Sequence, residues 1–181
     1  MSESLNRLVK LSKWGAIIAK VLMILTVVCM IILTICLIYI AANADLVINA
    51  VADGTLIINI PIETIDIPAA ATVIILCVLV MGVIGVVLLY YTGRLFKNIY
   101  DNRTPFTDDN ARSLIIMAVL IVICTIAAPI FDFALQRIID GVYLQTLGFG
   151  APPLFVALIL YVLSLVFKHG AELQRESDHT L

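Results

Sequence analysis

Between Lys20 and Asp45 the chain carries no charged residue, and the same holds from Asp66 to Arg94, from Arg112 to Asp132 and from Asp140 to Lys168. Stretches of this kind leave few folds open. The apolar segments run from about 16–42, 68–91, 113–130 and 151–167. A helix needs roughly 20 apolar residues to cross about 30 Å of hydrocarbon. The first segment exceeds that length and must tilt or project, while the fourth is at the short end. Ile and Val abound, but lipid forbids open strands, and unbroken runs without alternation exclude a barrel. Helices remain. Composition agrees, because 62% hydrophobic and 13% charged residues are more apolar surface than a soluble domain of this size can cover. The expected fold is an all-α integral membrane protein, a four-transmembrane-helix bundle forming a single four-span domain over residues 1–181. The first run is too long for the core of a cleavable signal and reads as a retained anchor.

Lys and Arg set the expected orientation. The amino end holds Arg7, Lys10, Lys13 and Lys20, the middle turn Arg94, Lys97, Arg103 and Arg112, and the tail Lys168 and Arg175. Only Arg137 falls between the third and fourth spans. The positive-inside rule therefore places the amino end, the central turn and the tail in the cytoplasm, with both termini inside. Six acids, Asp45, Asp53, Glu63, Asp66, Asp132 and Asp140, fall on the outer side. At the amino end Leu5, Leu8, Val9 and Leu11 alternate with basic residues ahead of Trp14. That pattern fits a surface-lying amphipathic helix or a helical extension of the first span.

The outer loop DLVINAVADGTLIINIPIETIDIP predicts a small extracytoplasmic β-hairpin between helices 1 and 2, over about 46–60. Two β-rich runs, Leu46 to Val51 and Thr55 to Ile60, flank Asp53-Gly54, a strong hairpin signal. Pro61 and Pro68 would end the second strand and reset the chain. Such a ribbon could bind a partner's strand or simply cap the helices. In the second span Gly82 and Gly85 allow close helix approach.

The turn TGRLFKNIYDNRTPFTDDNAR joins the second and third spans. Gly93 to Tyr100 continues the second span as an interfacial helix, and Asp101-Asn102 and Pro105 break it. Thr107 followed by Asp108, Asp109 and Asn110 makes an N-cap with acids in the first helical turn. Pro105, Phe106 and Thr107 are also a candidate binding element, with Phe106 as its anchor.

The third span has an outer extension to about 140, where Asp132, Gln136 and Arg137 supply a polar side to an apolar helix. These three residues are a candidate polar outer site, the alternative being a structural surface helix. Cys29, Cys36, Cys77 and Cys124 all fall in spans without a CxxC pair, and His169, Glu172 and Glu176 share a face that ordinary helix ion pairs such as Lys168–Glu172 explain without a metal. No metal, cofactor or catalytic residue is expected, since no nucleophile–base, paired-carboxylate or ligand constellation shares one depth.

Two motifs carry a resemblance. In the central turn Pro105, Phe106, Thr107 and Asn110 make a PFT-x-x-N pattern. After the fourth span Phe167, Gly170, Leu173, Gln174, Glu176, Asp178, Thr180 and Leu181 make an F-x-x-G-x-x-L-Q-x-E-x-D-x-T-L ending. The chain resembles, from end to end, a family of bacterial four-span membrane proteins classed as a domain of unknown function. The resemblance implies the four-span architecture, a bacterial cytoplasmic membrane and gene neighbours of the small Cro/CI-type helix-turn-helix class. Both motifs fall on the expected inner face, so Phe106, Asp109, Gln174, Glu176 and Asp178 could form one acidic-and-amide patch suited to a small basic partner. The expected function is non-catalytic: a regulatory or interaction protein engaging a small cytoplasmic regulatory protein through Pro105, Phe106, Thr107, Asp109, Asn110, Gln174, Glu176 and Asp178. Its other candidate partners are the lipid bilayer and a second copy of the chain, with no direct nucleic-acid contact. The alternative is a small transporter or channel subunit, and a further one is that the tail merely seals the inner end of the helices.

Overall fold

The computed structural model describes residues 3–52, 66–138 and 151–179. They form five helices: α1 (Glu3–Ala42), α2 (Ala44–Ala52), α3 (Ile67–Asn102), α4 (Asp108–Ile138) and α5 (Ala151–His179). Among them α1, α3, α4 and α5 are long and apolar enough to cross a membrane. Each runs past its apolar segment. The amino-terminal basic stretch is part of α1, as an extension of the first span.

Polar side chains inside these helices turn back on their own backbone. Thr26 donates to the Leu22 carbonyl, Thr34 to Met30, Thr72 to Pro68 and Thr125 to Ile121, each at 2.8 Å. In hydrocarbon an unbonded hydroxyl would cost several kcal/mol, about as much as any exposed backbone group. Back-bonding lets Thr sit in a span without a partner helix. Pro129 lies inside α4 and leaves the Thr125 carbonyl without its usual helical donor.

The expected hairpin is overturned. Leu46 to Val51, read as its first strand, belongs to helix α2, and there is no β-strand among the described residues. The Asp53-Gly54 turn and the run Thr55 to Ile60 lie outside the described residues. The reason is local. Asn43 closes α1, its amide and its side-chain Nδ2 donating to the Tyr39 carbonyl at 3.1 and 2.9 Å, while its own carbonyl accepts the Leu46 amide at 3.0 Å. Asp45 then stands in the first turn of α2, where the helix dipole favours an acid. Ala44, Ala50 and Ala52 favour helix most of all residues, and a lone two-stranded ribbon is marginal in water.

The chain packs as two compact units. The first comprises Met1–Thr26, Ile84–Thr125 and Gly150–Leu181. Its buried positions are mostly small: Ala19, Ala111, Ala118, Ala157, Ser113 and Ser164. Without a hydrophobic drive in lipid, helices associate by close van der Waals approach, which small side chains permit. In this unit α1 and α3 run antiparallel, with Gly15 under the Phe96 ring and Ala19 against Gly93. A Cβ at Gly15 would lie 2.9 Å from Phe96, so the contact needs glycine.

The second unit comprises Val27–Val83 and Ile126–Phe149. Ala70, Ala71, Ala128 and Leu135 are buried in it, and Gly82 lies against the Met30 side chain, where a Cβ would collide. Gly85, which belongs to the first unit, has nothing among the described residues within 4 Å of its Cβ position. Asp66 caps α3 by accepting the Ala69 amide at 3.0 Å, so the span begins at an acid N-cap ahead of Pro68.

Candidate functional site

Five residues, Arg103 to Thr107, connect α3 to α4, and all lie in the first unit. α3 stops because Arg103 takes the left-handed conformation, φ 56°, a C-terminal position usually given to Gly or Asn. Thr107 is the N-cap of α4, its Oγ1 accepting the Asn110 amide at 3.2 Å. Asp108 and Asp109 occupy the first turn, where the exposed amides attract negative charge.

Asn110 holds the turn from beneath. Its side chain has no exposure, and Nδ2 donates to the Pro105 carbonyl at 3.0 Å. The same carbonyl accepts the Thr107 amide at 3.0 Å. Oδ1 of Asn110 is buried and has no hydrogen-bond partner among the described residues. Thr104 Oγ1 accepts the Phe106 amide at 3.2 Å. The PFT-x-x-N pattern is thus a self-bonded turn in which each polar residue supports the next.

The tail docks on this turn. Phe106 lies edge-on to Phe167 of α5, ring centroids 5.7 Å apart at 77°, and over Gly170. Thr104 Oγ1 donates to Gln174 Oε1 at 3.3 Å. Arg175 Nη2 donates to Asp108 Oδ2. From α3, Arg94 pairs with Asp109 at 3.7 Å. All four charged groups in these pairs are substantially exposed, so each pair is worth only about 0–1 kcal/mol. The aromatic contact and the burial of Asn110 carry more. Asn102, Thr104, Phe106, Asp108, Gln174 and Arg175 line a hollow of 550 Å³ at this junction.

Of the residues expected from sequence, Phe106, Thr107, Asp109, Asn110 and Gln174 therefore share one neighbourhood with Pro105. Phe106 is 39% exposed, its ring committed to α5 rather than held out for a partner. Glu176 is exposed on α5. Asp178 belongs to α5, its side chain lying outside the described residues. The second group belongs to the second unit: Asp132 is half-buried, Gln136 is exposed, and Arg137 stacks on Phe133, 5.1 Å from the ring centroid. His169 and Glu172 approach to 3.8 Å, the ordinary i,i+3 pairing of an exposed helix. Sequence reasoning missed Thr104, Asp108 and Arg175 as members of the junction. It also placed Gly170 in a motif without seeing that glycine is what lets Phe106 approach.

Four apolar helices and a turn locked to a charged tail define the class: an all-helical, multi-pass membrane protein. A family described as "Protein of unknown function (DUF2975)" matches residues 61–181, and the chain belongs to it. The match takes in α3, α4, α5 and both motifs. Nothing among curated proteins or solved structures matches the chain.

Proposed function

We propose that this chain is a non-catalytic protein of the bacterial cytoplasmic membrane, with both termini inside, that engages a cytoplasmic protein through the junction of the α3–α4 turn and the α5 tail. One observation supports the reading above others: two separated motifs converge on a single surface whose acids, though ion-paired, stay more than half exposed. Asp108 and Asp109 are 52% and 62% exposed, and Glu172 and Glu176, on α5 outside the lining of the hollow, are exposed as well. Around the hollow, Gln174, Thr104 and Asp108 offer amide, hydroxyl and carboxylate groups. Acids of this kind steer a basic partner, and the hydrogen-bonding groups fix its register. A small helix-turn-helix regulator held at the membrane would satisfy both requirements.

A photo-crosslinking residue at Glu172 or Glu176 in native membranes tests this. A discrete adduct with one cytoplasmic protein is expected, absent when the crosslinker stands at exposed apolar Leu158 and weakened by Glu172→Lys/Glu176→Lys. Adducts with lipid alone, or a reporter after Leu181 that is active only outside the cell, would rule the reading out.

A further inference from the structure

The first unit has a second hollow, lined by other residues than those of the turn. Between α1 and α3 runs a groove of 590 Å³. α1 lines it with Ile17, Lys20 and Met23, and α3 with Leu89, Arg94 and Lys97. Asp101 is the lone acid of the lining, and Arg94 is shared with Asp109. The groove therefore carries a net positive charge.

Lys20 is the telling residue. It lies a turn and more inside the apolar run, next to a stretch without charge until Asp45. Neither Lys20 nor Lys97 has an ion pair or hydrogen bond among the described residues, and both are exposed. A lysine within a span is costly unless its ammonium reaches the interface or meets an anion. The groove gives it a place to meet one. Tyr90 also lines the groove, at the level where aromatic residues mark the membrane–water boundary. A cleft that is cationic at one end and apolar along its length, placed at that boundary, matches a molecule with an anionic head and an acyl chain.

We propose that this groove binds an anionic phospholipid, its phosphate held by Lys20 and Lys97 with help from Arg94, and one acyl chain lying along Ile17, Met23 and Leu89. Arg94 would join this site to the turn, since the same guanidinium pairs with Asp109. Both walls belong to one unit, so the site is complete within it. The assignment does not depend on a protein partner.

The test uses the full chain in neutral detergent, with phosphatidylglycerol or phosphatidylcholine added at equal mole fraction and retained lipid counted by native mass spectrometry. Phosphatidylglycerol should be retained about tenfold more than phosphatidylcholine, and Lys20→Gln/Lys97→Gln should abolish that preference. Lys20→Arg/Lys97→Arg, which keeps the charge, should preserve it and guards against a mere folding defect. Lys10→Gln/Lys13→Gln, outside the groove, should leave it intact. Equal retention of the two lipids would overturn the proposal. So would an equal loss in the Lys10/Lys13 variant, which means diffuse attraction, or full displacement by millimolar inorganic phosphate, which means that the chain recognises a free anion.

Discussion

Phe106 lies so near Gly170 that a Cβ added at position 170 would come within 2.5 Å of its Cδ1. A residue of the α3–α4 turn thus dictates what α5 can carry at that point. The obstacle is a ring already held by Phe167, not a freely moving side-chain tip.

Gly170→Ala should consequently lower the melting temperature in detergent. Helix propensity alone would favour alanine by about 1 kcal/mol, while overpacking costs about 1–3 kcal/mol, and the clash wins. Gly85→Ala is the control, because nothing among the described residues lies within 4 Å of that Cβ. It should be neutral or stabilising. A scan in which both substitutions behave alike would show that Phe106 yields without cost.

Asn110 gives a second prediction. Asn110→Ala removes the bond to the Pro105 carbonyl and should cost about 1–2 kcal/mol. Asn110→Asp should be worse at neutral pH. An acid in the first turn gains about 0.3–1 kcal/mol from the dipole, but a carboxylate at a position with no exposure loses several. Urea or thermal titration of both variants would rank them.

At Arg103 the backbone, rather than the side chain, sets the outcome. Arg103→Gly and Arg103→Val both delete the guanidinium, so their difference reports the cost of φ 56°. Valine should be less stable than glycine by about 1–2 kcal/mol or more, since β-branched residues tolerate that conformation least. Equal melting temperatures would contradict a left-handed helix stop.

Arg175→Gln should shift stability little, by less than about 1 kcal/mol, because its pair with Asp108 is exposed on both sides and screened by salt. A large loss, undiminished at 1 M salt, would mean that the pair is far better shielded than its exposure indicates.

The spans were legible because lipid leaves one signal, apolar length, and nothing at Val21 to Ala42 or Pro68 to Tyr91 competes with it. Helix type was equally legible where Thr107 and its two following acids announce a start. The segment Leu46 to Val51 misled for a physical reason: Ile, Val and a following Asp-Gly suit a strand, yet Asn43, Asp45 and three alanines serve a helix as well, and the helix satisfies its own backbone. The docking of Phe106 on Gly170 was beyond reach, since no local pattern relates residues so far apart. The motif residues could be named from sequence, but not what they touch.

None of the bonds inside the turn, from Thr104 to Phe106, Thr107 to Asn110 and Asn110 to Pro105, involves a residue of α5. The turn's own hydrogen bonds accordingly do not depend on α5, which adds to them the packing of Phe106 on Phe167 and Gly170, one hydroxyl–amide bond and one surface ion pair. The joint is a clip, not a weave: the bonds that shape the loop and the contacts that seat the tail on it are two separate sets, with Thr104 Oγ1 alone serving in both.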